Sequence, residues 1–106
     1  MARAVVNLPP TVKRGEIIEI KTLIQHAMET GFRRTQLGEV IPRDIIRLFV
    51  CTYNGVEIFR AELHPAIAAN PLITFTTVAA ESGTIAFRWT GDNGFSVAES
   101  ATITVV

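Results

Sequence analysis

Apolar side chains recur at every second position along most of this chain. Between Glu16 and Gln25, Ile18, Ile20, Thr22 and Ile24 share one face, the period of a half-buried strand. From Thr84 to Thr90, Ile85, Phe87 and Trp89 stand together against Ala86 and Arg88. The C-terminal run from Phe95 to Val106 is rich in Val, Ile and Thr and aligns Val97, Ala101, Ile103 and Val105. Turn-forming residues separate these runs: Pro9-Pro10, Lys13-Arg14-Gly15, Asn54-Gly55, Asn70-Pro71, Glu81-Ser82-Gly83 and Gly91-Asp92-Asn93-Gly94.

The pattern predicts strands near residues 3–7, 16–25, 44–53, 56–63, 71–78, 84–90 and 95–105, with a short helical turn at 64–70 as the only helix. About seven short strands at this spacing predict an all-β fold, an immunoglobulin-like antiparallel β-sandwich in one domain over residues 1–106. Its predicted core contains Ile18, Ile20, Ile24, Leu48, Val50, Phe59, Phe87 and Trp89.

The Asn54-Gly55 dipeptide favours a two-residue type I′ turn, which pairs Tyr53 with Val56. Counting outward, one face holds Val50 with Phe59, Leu48 with Ala61 and Ile46 with Leu63, an apolar set that reads as core. The other holds Cys51 with Ile58, Phe49 with Arg60 and Arg47 with Glu62. On this register Phe49, Cys51, Tyr53, Val56 and Ile58 form an exposed apolar patch, to be covered either by a partner protein or by a loop of the chain itself.

Ten basic and ten acidic residues cancel, which removes the broad positive field of a non-specific nucleic-acid binder. No run approaches the ~18 apolar residues of a membrane helix. Asn7, Pro9 and Pro10 interrupt the N-terminal apolar stretch, so no secretory signal is expected there. The single cysteine excludes an internal disulfide.

Cys51, His26, His64 and Met28 match the residue types of a blue-copper site, yet Cys51 lies mid-strand and its next histidine is His64, a spacing that argues against copper. Cys51 has no cation nearby in the sequence to lower its pKa, which argues against a nucleophile and for a buried or interface thiol. His26 at a strand end and His64 before Pro65 suit turn hydrogen bonding better than metal ligation. No cofactor, metal site or catalytic residue is expected, and the chain is not read as an enzyme.

The segment from His26 to Asp44, HAMETGFRRTQLGEVIPRD, matches neither flanking strand in character. Thr30-Gly31 and Gly38 can turn the chain and Pro42 fixes its return, so it predicts an extended hairpin or flap projecting from one end of the sandwich. Arg33, Arg34 and Arg43 supply forked donors suited to carboxylates or sulfur oxyanions, with His26 and Met28 at the base. A solvated charged loop is the other reading.

The stretches GEIIEIKTLIQHAMETGFRR, EVIPRDIIRLFVCTYNGVEIFRAEL, ANPLITFTT and ESGTIAFRWTGDNG resemble the SoxZ family, the smaller subunit of the sulfur-carrier heterodimer of bacterial thiosulfate oxidation. The most specific elements are the runs from His26 to Gly31 and from Ile41 to Ile46. Ala27 stands where the family pattern has proline, and Phe95 where it has a polar residue. The resemblance implies a non-catalytic subunit that supports a SoxY-like partner whose C-terminal Cys arm carries sulfur intermediates. It also implies docking of other sulfur-oxidation enzymes on the complex. A periplasmic location follows, reached by export together with the signal-bearing partner. The C-terminal sequence Ile103-Thr-Val-Val106 lacks the Gly-Gly-Cys of the carrier arm. Partner contacts are expected at Phe49, Tyr53, Val56, Ile58, His26, Met28, Arg33 and Arg43. The alternative is a stand-alone metal-binding or redox sandwich.

Overall fold

A computed structural model describes residues 3–106; Met1 and Ala2, part of the N-terminal run read as signal-free, lie outside it. The strands are β1 (Ala4–Asn7), β2 (Thr11–Val12), β3 (Ile17–Ile24), β4 (Ile46–Tyr53), β5 (Val56–Glu62), β6 (Leu72–Val78), β7 (Gly83–Gly91) and β8 (Ser96–Val105). They form two sheets, β1-β3-β6 and β2-β8-β7-β4-β5, which enclose the core as a sandwich. The all-β expectation holds with three adjustments, one being that the only helical turn among the described residues is a 3-10 turn at Asp92–Gly94. A two-residue strand, β2, adds an eighth member and runs parallel to β8, and residues 64–70 form only a turn in which the Ile67 amide donates to the His64 carbonyl.

The alternation read from the sequence is met where a strand has one wet face. In β3, Ile18, Ile20, Thr22 and Ile24 are buried, and in β7, Ile85, Phe87 and Trp89 are. Thr22 is tolerated inside because its hydroxyl donates to the Ile73 carbonyl at 2.9 Å.

The central hairpin departs from the expected faces. Asn54 and Gly55 both take positive φ, as a type I′ turn requires, and Tyr53 pairs with Val56 and Thr52 with Glu57. Beyond them Ile58 is an extra residue: Cys51 pairs with Phe59, Val50 with Arg60, Phe49 with Ala61 and Leu48 with Glu62. This β-bulge shifts the register by one. The side chains that turn inward are Phe49, Cys51 and Tyr53, all buried, while Leu48 and Val50 are half-buried on the outer face. The exposed patch expected from Phe49, Cys51, Tyr53, Val56 and Ile58 therefore does not exist. Of the five, only Val56 is well exposed, and Ile58 is half-buried.

Pairing with β7 explains the inversion. Phe49, Cys51 and Tyr53 lie in register with Trp89, Phe87 and Ile85, so the inward face of β7 dictates that of β4. Phe49 meets four aromatic neighbours: Phe59, Phe75, Phe87 and Trp89, the last with ring centroids 5.1 Å apart. Tyr53 sends its hydroxyl to the Glu81 carbonyl and accepts from the amides of Ala80 and Glu81, which ties down the turn before β7.

Two of the four sheet edges, β5 and β6, differ in character. At the β5 edge, the bulge and the charges of Glu57, Arg60 and Glu62 discourage further pairing. At the β6 edge the sequence is LITFTTV, with no charge, no proline and an unbroken register against β3.

Candidate functional site

The segment from His26 to Asp44 leaves the end of β3 and returns to β4 as a narrow two-legged ribbon, the projecting hairpin expected from the sequence. Backbone pairing holds its legs: Glu29 and Asp44 exchange two amide-to-carbonyl bonds at 2.9 Å, and the Ile41 amide donates to Arg33. Nearer the tip the Thr35 amide donates to Glu39 and the Gly38 amide to Thr35, while the Thr35 hydroxyl accepts from the amides of Leu37 and Glu39. With the ribbon the molecule measures 60 × 20 × 20 Å. The legs carry three apolar side chains into solvent, Phe32 at 81%, Leu37 at 87% and Val40 at 50% exposure.

The root of the ribbon is built from residues singled out in the sequence. Asn70 clamps the His26 backbone, its amide donating to the His26 carbonyl at 2.7 Å and its side-chain oxygen accepting from the His26 amide at 2.9 Å. The imidazole stands edge-on to Phe95 with centroids 4.8 Å apart and accepts the Met28 amide at Nδ1. Nε2 therefore carries the proton of the neutral ring, and it faces Asp44 Oδ1 at 3.9 Å. Met28 takes the left-handed conformation, φ +52°, a strain of about 1–2 kcal/mol for a residue with a Cβ. Burial and the acceptance of the Ile46 amide by its sulfur, at 3.3 Å, hold it there. His26 and Met28 are thus internal fasteners rather than surface groups.

Arg33 and Arg43 are likewise committed. Arg33 donates through Nε and Nη2 to the Glu29 carboxylate, and this pairing holds Glu29 below the usual carboxylate range and raises Arg33. Arg43 makes the same two-point contact with Asp92, in the turn Asp92–Gly94 that follows β7. Both forks, expected to be free for oxyanions, have one edge on a carboxylate of the chain. Arg34 donates to the Gly38 carbonyl. Gly31 is required where the legs meet, because a Cβ there would lie 2.9 Å from that of Arg43 and its φ is +87°.

The four residues weighed as metal ligands do not converge. Met28 sulfur sits at Ile46, five residues along β4 from Cys51, a separation of ~16 Å at the rise of a strand. Cys51 is enclosed, and burial pushes its thiol up to about 12. His64 follows β5 and is exposed. Among the described residues no three His, Cys, Asp or Glu side chains are grouped to hold a metal. Sequence reasoning missed Asp92, Asn70 and Phe95, which meet the ribbon only through tertiary contact, and the exposed trio Phe32, Leu37 and Val40, which was visible as apolar positions in a polar segment.

The family described as "Sulphur oxidation protein SoxZ" matches residues 6–102. No curated protein matches the chain in sequence. In structure it is similar to the superoxide reductase (neelaredoxin) of Ignicoccus hospitalis, with a TM-score of 0.73 and 18% identity over 97% of this chain and 80% of that one. It is similar too to the sulfur carrier protein SoxY of Chlorobium limicola, with a TM-score of 0.68 and 8% identity over 97% of this chain and 78% of that one. At such identities these likenesses show a shared sandwich fold.

Proposed function

The chain belongs to the SoxZ family of sulphur oxidation proteins, and from that premise we propose that it is the non-catalytic subunit of a heterodimeric sulfur carrier. Its partner is a SoxY-like subunit whose C-terminal Cys arm bears the sulfur intermediates of thiosulfate oxidation, and enzymes of that reaction series visit the arm. The complex works in the periplasm, exported together on the partner's signal. The match over residues 6–102 carries this reading.

Two features of the fold support it. Cys51 is buried with its thiol pushed up to about 12, unsuited to nucleophilic or carrier chemistry at neutral pH, which supports a working thiol on another chain. The ribbon presents Phe32, Leu37 and Val40 on a hydrogen-bonded frame, an arrangement that contributes nothing to this domain's own core and suits a partner contact.

Co-expression with the SoxY-like subunit tests the proposal. Native mass spectrometry should find a one-to-one complex, and replacing residues 32–40 with a short Gly-containing turn should weaken it while the melting temperature of the isolated chain stays within a few degrees. A shortened protein that assembles and supports thiosulfate oxidation at the normal rate would remove the ribbon from the interface; failure of the intact chain to bind the partner would refute the heterodimer.

A further inference from the structure

A cleft of about 500 Å³ opens beside the root of the ribbon, between the start of β4, the end of β5 and the end of β7. Its charge comes from Arg43, Arg47 and Arg60, with His64 at the rim, against the one carboxylate of Glu62. Leu48 forms part of an apolar wall together with Ile45, Leu63 and Pro65.

The backbone places these groups deliberately. Ile46 pairs with Gly91 and Leu48 with Thr90, so Arg47 is the extra residue of a bulge and its side chain turns out of the strand. Among the described residues it has no ion-pair partner. Arg43 and Arg60 each present Nε and Nη2 to a carboxylate, Asp92 and Glu57, that does not line the cleft. Each guanidinium is held in one orientation by that contact, with both Nη1 hydrogens uncommitted. Gly91 lets the chains approach here, since a Cβ would lie 2.3 Å from the Ile45 carbonyl oxygen.

We propose that this cleft binds a sulfur oxyanion through an –SO₃ head, with the three guanidiniums and Thr90 around the oxygens and the sulfur attached to that head against Leu48. Asp92 and Glu57 balance Arg43 and Arg60 from outside the cleft and Glu62 stands against Arg47, so the attraction for an anion comes from the converging N–H donors and not from an excess of charge. The preference for sulfur rests on the proposed function; binding of a tetrahedral anion follows from the cleft alone. The anion reaches it either free in solution or as an S-sulfonated cysteine on a peptide.

The test is an NMR titration of the isolated chain, reading the Arg side-chain and His64 resonances, with sodium thiosulfate, an S-sulfocysteine peptide, phosphate and chloride at matched ionic strength. Saturable shifts with thiosulfate or the peptide, stronger than with phosphate, are expected, and the tighter of the two identifies the source. Arg47→Gln should weaken binding about tenfold or more at unchanged melting temperature, with partial rescue by Arg47→Lys. No saturable shift, no effect of Arg47→Gln, or phosphate binding as tightly as thiosulfate would overturn the proposal. Heterodimer formation is scored separately by native mass spectrometry, so failure of the cleft is distinguishable from failure of the family-based function.

Discussion

Arg43 lies along the carboxylate of Asp92, Nε to Oδ2 at 2.9 Å and Nη2 to Oδ1 at 3.0 Å, joining the root of the ribbon to a turn 49 residues away. The same carboxylate accepts the Ile45 amide at 3.2 Å. The Arg43 hydrogen bonds hold Asp92 below the ordinary carboxylate range against the opposing effect of desolvation, and the Ile45 amide adds to the lowering. A depressed folded pKa means that the stabilisation is full above the unfolded value, near pH 4, and is lost as pH falls through the lower folded value. Asp92→Asn should reduce the melting temperature by roughly 4–8 °C at pH 7. The difference from the parent should shrink below about pH 4, and thermal melts at a series of pH values check both.

Cys51 should resist thiol reagents in the folded state. With the thiol pushed up to about 12 and the side chain enclosed, labelling at pH 8 should be negligible until denaturant opens the sandwich. Cys51→Ala should leave sulfur transfer by the reconstituted complex intact. Cys51→Ser should cost about 1–3 kcal/mol, since it buries a hydroxyl between the sheets. Loss of transfer in the alanine variant at normal stability would show that the thiol takes part.

The bulge in β5 makes a contrast between neighbours across one hairpin. Phe49→Ala should destabilise by about 3–5 kcal/mol, the cost of removing a ring packed among four aromatics. Val56→Asp, at an exposed position, should change stability by less than about 0.5 kcal/mol. Denaturant titrations of both variants decide between the observed faces and their inverse.

On the ribbon, the double change Phe32→Ser and Leu37→Ser should leave the melting temperature unaltered while weakening the heterodimer by ~10-fold or more, measured by calorimetry. Gly31→Ala should act differently, lowering stability, because its Cβ meets Arg43 in a left-handed backbone.

Much of this architecture is legible in the sequence because its strands alternate. The faces of β3, β7 and β8 follow from the period of two, and the projecting ribbon from its turn residues. β4 resisted for a physical reason: Ile46, Leu48, Phe49, Val50 and Cys51 are apolar without alternation, so parity cannot be read from the strand itself. The type I′ turn was correctly placed, but one unpaired residue, Ile58, undid the count beyond it. The site was legible in residue identity and not in commitment. His26, Met28, Arg33 and Arg43 do cluster along the ribbon and its root, yet each is partly committed within the chain, His26 and Arg43 to Asn70 and Asp92, which lie far along the sequence.

The bare edge of β6 has a practical consequence for anyone handling the isolated subunit. Read from either end, LITFTTV keeps its pattern about Phe75, so two copies can lie head to tail with Leu72 opposite Val78 and Thr74 opposite Thr76. Concentrated stocks should therefore pair into dimers and precipitate sooner than the domain's neutral, well-filled sandwich suggests. Thr76→Lys, a solvent-facing change, should lengthen their shelf life without lowering the melting temperature, as light scattering over days would record.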